Sequence, residues 1–315
     1  MSTGLIDWAR RHPAAAHAIL SIAIASGVVA VRVLAALTDP ELLYASRTMV
    51  LAIMAEGDYV NLLTIAGHVP EQPLLAGIFI FAGSPTIAAV ALALLGVGGG
   101  WKRFLARLLP WGPDRPPGRW WAAYIWMAGG YMAGVGIFYL VTREQVDPFA
   151  FFGAGLWSIS AALLIGPFID EGGTLEEWGW RGFTFPIMRD SLGWMSAALL
   201  LGVIHWAWHF PREVLTLMQG VDLFVLVRGQ TVFLGLCIML SVVACFFVRM
   251  SGGSAIPAII VHGGTNTLAK AMGQSGPSWG PVDLRTVLVT LAALAIIGLF
   301  AAGKLRDGRE RAAIE

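Results

Sequence analysis

Long apolar stretches alternate with short polar connections along the chain, and this pattern predicts a polytopic membrane protein. About 20 apolar residues are needed to cross a hydrocarbon core of ~30 Å. The predicted spans are 14–36, 74–97, 119–141, 150–171, 193–210, 229–249, 254–271 and 284–303. No connection is long enough for a soluble domain and no internal repeat is visible. We therefore expect residues 1–315 to form a single integral membrane domain with an all-α fold, a transmembrane helix bundle of about eight spans.

The composition of the chain supports a membrane setting. Hydrophobic residues make up 57% of the chain and charged residues 13%, against about 25% charged residues in ordinary soluble domains. The formal net charge of +1 provides no overall field that would favour nucleic acid as a partner. Cys237 and Cys245 lie in one apolar stretch without CxxC spacing, so both are expected to be buried thiols.

The distribution of basic residues predicts that both termini are cytoplasmic. Lys and Arg are enriched in the cytoplasmic connections of membrane proteins. With eight spans and a cytoplasmic N-terminus, 14 of the 21 Lys and Arg residues fall on that side: Arg10, Arg11, Lys102, Arg103, Arg107, Arg115, Arg119, Arg181, Arg189, Arg249, Lys304, Arg306, Arg309 and Arg311. The first apolar stretch is too long for the core of a cleaved signal peptide, so we expect a retained span.

Two further segments are not assigned as spans. Residues 44–66 are apolar but interrupted by Arg47, Glu56 and Asp58, and a span there would move the basic connection 98–118 to the outer side. We expect 44–66 to form a helix that lies at the outer interface or packs on the bundle. Residues 98–118 combine tryptophans, cationic side chains and prolines, which indicates a cytoplasmic interfacial segment.

Two adjacent carboxylates, Glu176 and Glu177, follow a strongly apolar run and precede Arg181. Residues four apart share a helix face, so Glu177 can pair with Arg181 while Glu176 points about 100° away. This spacing would leave Glu176 in an apolar cavity, where a carboxylate can act as a general base. The alternative is an ion pair that caps a span at the cytoplasmic interface. Ionisable groups at membrane depth are costly and are rarely kept without a partner or a function.

Three histidines and an asparagine lie in the apolar runs that follow. His205 and His209 are four apart, and so are His262 and Asn266, so each pair shares one helix face. An amide beside an imidazole can fix its tautomer or help to bind an oxyanion. A single histidine on an apolar helix is more often a packing residue than a catalyst. The combination of these groups with the carboxylates nevertheless favours an enzyme that works within the bilayer.

Three short motifs occur in order within this apolar core. EEWGWRG fits EExxxR, HWAWH fits FxxxH with His205 at the usual aromatic position, and HGGTN fits HxxxN. They resemble the motifs of the CAAX protease and bacteriocin-processing (CPBP) family of intramembrane proteases, also called the abortive-infection family. The resemblance covers residues 150–271 and implies an all-helical membrane protease, a hydrolase that acts on peptide bonds.

The resemblance also implies a role for each polar residue. The implied catalytic residues and then the supporting ones are Glu176, His209, His262 and Asn266, followed by Glu177, Arg181 and His205. Glu176 would activate water with assistance from His209, while His262 and Asn266 would bind the water or the oxyanion. This mechanism uses no metal ion or other cofactor.

The third imidazole near the site leaves zinc as an alternative. Neutral nitrogens of His205, His209 and His262 could hold the ion, with Glu176 as the base. The HxxxH spacing lacks the glutamate of the HExxH zinc motif, so the metal-free mechanism is preferred. His205 would then be a supporting donor or a packing residue, and its replacement by phenylalanine is expected to leave activity largely intact.

The expected function is endopeptidase cleavage of a peptide or membrane-protein substrate, with or without a lipid group, near the cytoplasmic membrane face. One alternative is a non-catalytic membrane scaffold or bacteriocin-immunity factor with the same fold. A small transporter is a third class, but the repeats common in transporters are not evident. We expect a prokaryotic inner (cell) membrane, with lipids as neighbours.

The predicted spans contain one geometric conflict. They place Glu176 near the cytoplasmic face and His209 roughly 24 Å further across the membrane. The two residues can meet only if residues 172–192 dip into the bundle or if the fourth span begins later than its hydropathy suggests.

Overall fold

Helices make up the regular structure of the described part of the chain. The structure is a computed structural model, and it describes residues 2–39, 41, 49, 61–113, 119–142, 163–271 and 284–306. The helices are α1 (Ser2–Arg11), α2 (Pro13–Thr38), α3 (Leu62–His68), α4 (Ala76–Leu94), α5 (Gly100–Arg107), α6 (Trp121–Thr142), α7 (Gly166–Ile169), α8 (Glu171–Gly179), α9 (Phe185–Leu192), α10 (Trp194–His209), α11 (Glu213–Met218), α12 (Leu223–Met250), α13 (Ile256–Ala271) and α14 (Leu284–Ala301). The predicted all-α fold class is confirmed.

Most predicted spans coincide with helices. Seven of them correspond to α2, α4, α6, α10, α12, α13 and α14. By length and apolar composition, three helices of the described part could cross a membrane: Pro13–Thr38, Pro73–Leu94 and Leu223–Met250. The membrane-helix character of the chain is therefore confirmed, while the number of spans stays a prediction.

The region around the fourth predicted span, 150–171, differs from the prediction. Residues 150–162 lie outside the described residues, and the described remainder holds the four-residue helix α7, which ends at Ile169 and is followed by Asp170. The segment 172–192, predicted to be a cytoplasmic connection, instead forms α8, a π-helical turn at Trp180–Thr184 and α9. Hydropathy does not reveal this helix because three of the nine residues of α8 are glutamates.

A turn at Gly193 converts this helix and α10 into an antiparallel hairpin. Gly193 has φ 78°, a left-handed conformation that favours glycine. Glu176 lies 17 residues before the turn and His209 lies 16 residues after it. At ~1.5 Å per residue, both residues are therefore about 25 Å from the turn and at the same level of the bundle. Because α8 begins only at Glu171, Glu176 and His209 do not have the separation of roughly 24 Å that the predicted spans gave.

Glycines allow close packing around the hairpin. A β-carbon on Gly179 of α8 would clash with the backbone of Pro85 in α4, and one on Gly202 of α10 would clash with the backbone of Ile238 in α12. Small residues commonly permit such close approach between membrane helices. These contacts fix α8 against α4 and α10 against α12.

Pro85 interrupts the backbone hydrogen bonds of α4, and polar side chains satisfy the groups around it. Proline has no N–H to donate to the carbonyl four residues earlier, so the Ser84 hydroxyl donates to the Phe81 carbonyl at 2.8 Å. Ser84 Oγ accepts from Trp208 Nε1 of α10 at 2.7 Å. The Pro85 carbonyl accepts from His17 Nε2 of α2 at 2.7 Å. The hydrogen bonds around Pro85 thus connect α2, α4 and α10.

Basic residues gather at the Gly193 end of the bundle, which we call the basic end. Its contacts include those of Arg10 with Leu95, Arg103 with Asp190, and Arg249 with Leu305. Arg181, assigned from the sequence to a cytoplasmic connection, is instead buried. Measured along the hairpin, Glu176 and His209 lie about 25 Å from Gly193 at this end.

The two segments that were not assigned as spans are only partly described. Most of 44–66 lies outside the described residues, and only its end contributes to α3, where Asn61 caps the helix with a capping box. The predicted position of 44–66 at the outer interface therefore stays a prediction. Within 98–118, α5 carries the amphipathic sequence GWKRFLAR, with Phe104 buried.

Candidate active site

Glu177, Arg181 and His262 form a buried ion-pair network. Glu177 Oε1 accepts from Arg181 Nη1 at 2.7 Å and from His262 Nδ1 at 2.8 Å. The pairing of Glu177 with Arg181, predicted from their spacing, is confirmed, and both side chains are fully buried. A carboxylate beside a guanidinium acts as an acceptor, so Nδ1 of His262 carries the hydrogen. The second ring nitrogen of His262 is thereby directed away from Glu177.

Glu176 contacts a different histidine. Its Oε2 lies 2.8 Å from Nε2 of His205, and the two residues are 4% and 1% exposed. With Glu176 as a carboxylate, the Nε2–H of His205 donates this bond. The motif resemblance implied that His209 would assist Glu176. The structure instead gives the direct contact to His205, the residue that departs from the family pattern.

His209 lies beside this pair and is bonded to an arginine. Its ring stacks on that of His205 with centroids 5.1 Å apart. Nη1 of Arg212 donates to Nδ1 of His209 at 3.1 Å. A guanidinium has no acceptor, so Nδ1 must accept and the hydrogen of a neutral His209 sits on Nε2. Arg212 was not predicted as a site residue, although its position three residues after His209 places it on the neighbouring turn.

Asn266 is held at the start of α8. Its Nδ2 donates to Asp170 Oδ1 at 3.0 Å, and the same oxygen accepts from Gly173 N at 2.8 Å. A β-carbon on Gly172 would lie 3.1 Å from both Asn266 Nδ2 and His262 Nε2. The bare α-carbon of Gly172 therefore lets α8 approach these two atoms. Asp170 was missed from the sequence, where the only signal is an acidic N-cap before a weak helix.

The π-helical turn follows directly after the two glutamates. π-helical turns are rare and frequently occur at functional sites. This one places Trp180, which is fully buried, against His205, with ring centroids 5.8 Å apart. The opposite side of Trp180 meets His17 of α2 edge-on at 5.2 Å. The turn therefore provides a packed support for the imidazole that contacts Glu176.

The structure brings the predicted site residues together. The rings of His205 and His262 are 5.6 Å apart in an edge-to-face arrangement. This contact connects the Glu176–His205 pair to the ion-pair network of Glu177. The assembled residues are Glu176, Glu177, Arg181, His205, His209, His262 and Asn266, with Asp170 and Arg212 beside them. We call this set the glutamate–histidine cluster.

The predicted zinc site differs from the group of side chains that could hold a metal. Ligand atoms of Glu176, His205 and His209 lie within 4.8 Å of one another, whereas the prediction used His262 and kept Glu176 as the base. A ligating histidine nitrogen must be unprotonated. Because Arg212 donates to Nδ1 of His209, the other nitrogen carries a hydrogen, and the guanidinium would repel a cation. These hydrogen bonds do not fit a zinc ion.

The fold and the cluster define a helical membrane protein with a buried glutamate bonded to histidine. Residues 148–268 match the family model described as type II CAAX prenyl endopeptidase Rce1-like. CAAX prenyl protease 2 of Methanococcus maripaludis is 29% identical over 94 residues, which cover 28% of this chain and 33% of that protein. The matched segment thus spans about a third of the length of this curated relative. The resemblance to the CPBP family is confirmed, and the residues matched by the family model contain the whole cluster.

Proposed function

We propose that this protein is an intramembrane endopeptidase in which Glu176 activates water. The observation that carries the proposal is the buried 2.8 Å contact between Glu176 and His205, with His209 stacked beside it. A positioned carboxylate can take a proton from water. The matched family model and the curated relative are described as a CAAX prenyl endopeptidase and a CAAX prenyl protease, and both descriptions support peptide-bond hydrolysis.

In the proposed reaction, Glu176 accepts a proton from water as the water oxygen attacks the scissile carbonyl carbon. His262 holds the water through Nε2, and donors on Asn266 and on Nε2 of His209 bind the oxyanion. Collapse of the tetrahedral intermediate breaks the C–N bond, and Glu176 returns the proton to the leaving amine. One water is consumed for each peptide bond.

Glu177 and Arg181 position the reacting groups in this proposal. Glu177 orients His262 through the 2.8 Å bond to Nδ1. Arg181 offsets the charge of Glu177 at 2.7 Å, which limits repulsion between the two adjacent carboxylates. Arg181 thereby reduces the electrostatic cost of ionising Glu176 next to a second buried carboxylate.

The proposed substrate is a peptide or a membrane-protein segment, with or without a lipid group. The proposed setting is a prokaryotic inner membrane with both chain termini in the cytoplasm. The apolar helices support a setting in which lipids surround the enzyme.

Hydrolysis by purified variants tests the proposed function. Wild type, Glu176→Gln and the exposed control Glu71→Gln are incubated with a randomised library of internally quenched peptides. Thermal unfolding is measured first, to establish that the three proteins are equally stable. We expect Glu176→Gln to lose at least about 100-fold in rate, and Glu71→Gln to retain the wild-type rate. Equal hydrolysis by Glu176→Gln, or no hydrolysis by wild type, would favour the non-catalytic scaffold or immunity factor.

A further inference from the structure

Thr86 of α4 donates a hydrogen bond to the backbone next to Glu176. Its Oγ1 lies 2.5 Å from the carbonyl oxygen of Leu175, and Leu175 directly precedes Glu176 in α8. A carbonyl oxygen has two lone pairs, so it can accept this bond in addition to the bond within its own helix. The hydroxyl thus ties the backbone of α8 to α4 one residue before the glutamate.

Leu175 and Gly179 form the face of α8 that packs on α4. They are four residues apart and share one side of the helix, and a β-carbon on Gly179 would clash with the backbone of Pro85. Glu176 lies about 100° further round the helix, where it contacts His205. The contact with α4 therefore sets the rotation of α8 about its axis, and this rotation sets the direction of Glu176.

His17 of α2 connects α4 to the turn that follows α8. Its Nε2 donates to the Pro85 carbonyl, so its Nδ1 accepts a hydrogen bond from the hydroxyl of Thr184 at 2.6 Å. Thr184 is the last residue of the π-helical turn, and both His17 and Thr184 are fully buried. The α8 region is therefore held to α4 before Glu176 by Thr86 and after it through His17.

The same segment of α4 also bonds to α10. Ser84 Oγ accepts from Nε1 of Trp208 at 2.7 Å, and Trp208 lies three residues after His205 in α10. The ring of Phe81, one turn earlier in α4, contacts the Trp208 ring with centroids 4.8 Å apart. Both α8 and α10 are therefore fixed against α4, and these are the two helices whose side chains meet in the contact of Glu176 with His205.

We propose that Thr86 is a positioning residue that holds α8 at the rotation in which Glu176 meets His205. This inference rests on the proposed function, in which Glu176 activates water. Side chains extend about 5–6 Å from a helix axis, so a rotation of α8 by about 10° moves the glutamate carboxylate by about 1 Å. A displacement of about 1 Å at a reacting group can cost about 100-fold in rate. Thr86 lies outside residues 148–268, which the family model matches.

Three threonine variants test the role of this hydroxyl. Thr86→Val removes the hydroxyl and keeps the branched shape, whereas Thr86→Ser keeps the hydroxyl. Thr38→Val is the matched control, because the Thr38 hydroxyl donates to the Leu34 carbonyl at the exposed end of α2. The measured quantities are kcat and KM for one peptide that wild type cleaves, normalised to the folded fraction of each preparation.

Thr86→Val is expected to lower kcat by about 10- to 100-fold with little change in KM, because the hydroxyl acts on the reacting group and does not contact the peptide. Thr86→Ser and Thr38→Val should keep the wild-type kcat. In the Glu176→Gln background, Thr86→Val should cause no further loss, since Thr86 acts through Glu176. An unchanged kcat in Thr86→Val, an equal loss in Thr86→Ser, or the full loss repeated in the Glu176→Gln background would overturn the assignment.

Histidine nitrogen signals separate this inference from the proposed function, because their measurement needs no substrate. Wild type and the three threonine variants are labelled with nitrogen-15 in histidine, and the His205 signals are identified by their loss in His205→Gln. The nitrogen chemical shift of an imidazole depends on its hydrogen bonds. A changed His205 signal in Thr86→Val alone supports the positioning role even if wild type hydrolyses nothing. Unchanged His205 signals in Thr86→Val contradict it even if wild type is an active protease.

Discussion

Nε2 of His205 lies 2.8 Å from Oε2 of Glu176, although the matching motif places an aromatic residue at position 205. His205, the residue that differs from the motif, is therefore part of the site. From the sequence, phenylalanine at this position was expected to leave activity largely intact. The contact changes that expectation, because an almost fully buried carboxylate would lose its hydrogen-bond donor.

His205→Phe is expected to lower kcat by about tenfold or more, since loss of a hydrogen bond to a charged group costs about 1.5–3 kcal/mol. The measurement is steady-state hydrolysis of the peptide library by purified protein. His205→Gln, which keeps a donor, should retain more activity than His205→Phe. Equal activity of wild type and His205→Phe would show that the contact has no role in catalysis.

Arg181→Met is expected to destabilise the protein by about 3–5 kcal/mol, because the buried Glu177 carboxylate loses its cationic partner and keeps only the hydrogen bond from His262. Arg103→Met is a matched control, since Arg103 pairs with Asp190 at 3.4 Å while half exposed. An exposed pair contributes about 0–1 kcal/mol. Thermal unfolding of both variants in the same detergent measures the difference. Similar small shifts for the two would contradict the buried network around Glu177.

Metal removal is expected to leave activity unchanged, because the Arg212 bond to Nδ1 leaves the hydrogen of neutral His209 on Nε2, the nitrogen that a metal would need. The purified enzyme is dialysed against a chelator, and zinc content and hydrolysis are measured in the same samples. Stoichiometric zinc that is lost together with activity, and restored together with it, would establish the metal-dependent mechanism instead.

Two predictions about the membrane depend on where the glutamate–histidine cluster lies along the bundle. The basic residues predict a cytoplasmic basic end, and cleavage was predicted near the cytoplasmic face. The glutamate–histidine cluster, however, lies about 25 Å along its helix from Gly193 at the basic end. Along α13 the distance is shorter, since His262 lies seven residues, about 10 Å, after Ala255, whose N–H donates to the carbonyl of Arg107.

Single cysteines at the two ends of the bundle test the orientation. Both native cysteines are buried, so reactivity reports the introduced residue. We expect a membrane-impermeant maleimide added to intact cells to label Gln219→Cys and to leave Lys102→Cys unlabelled until the cells are opened. The reverse pattern would place the basic end outside and contradict the predicted orientation.

Sequence patterns predicted helix positions and contacts between residues of one helix. Contacts between different helices depend on packing and could not be predicted in this way. Apolar runs located most helices, and the i, i+4 rule gave the pair Glu177–Arg181. The helix that carries Glu176 was hidden because its own glutamates lower the hydropathy. The contact of Glu176 with His205 depends on how α8 faces α10, which no one-dimensional pattern records. Arg212 lies in a short turn after α10 and gave no signal of its own.

A single-turnover experiment in water enriched in oxygen-18 tests the central claim, which is that Glu176 activates water for direct attack. Enzyme in excess over one cleavable peptide is quenched before a second turnover, and the new carboxyl group is analysed by mass spectrometry. The account predicts one oxygen-18 atom in that group. Incorporation of oxygen-16 in the first turnover would show that a carboxylate oxygen of the protein attacked the peptide, and it would contradict the proposed role of Glu176.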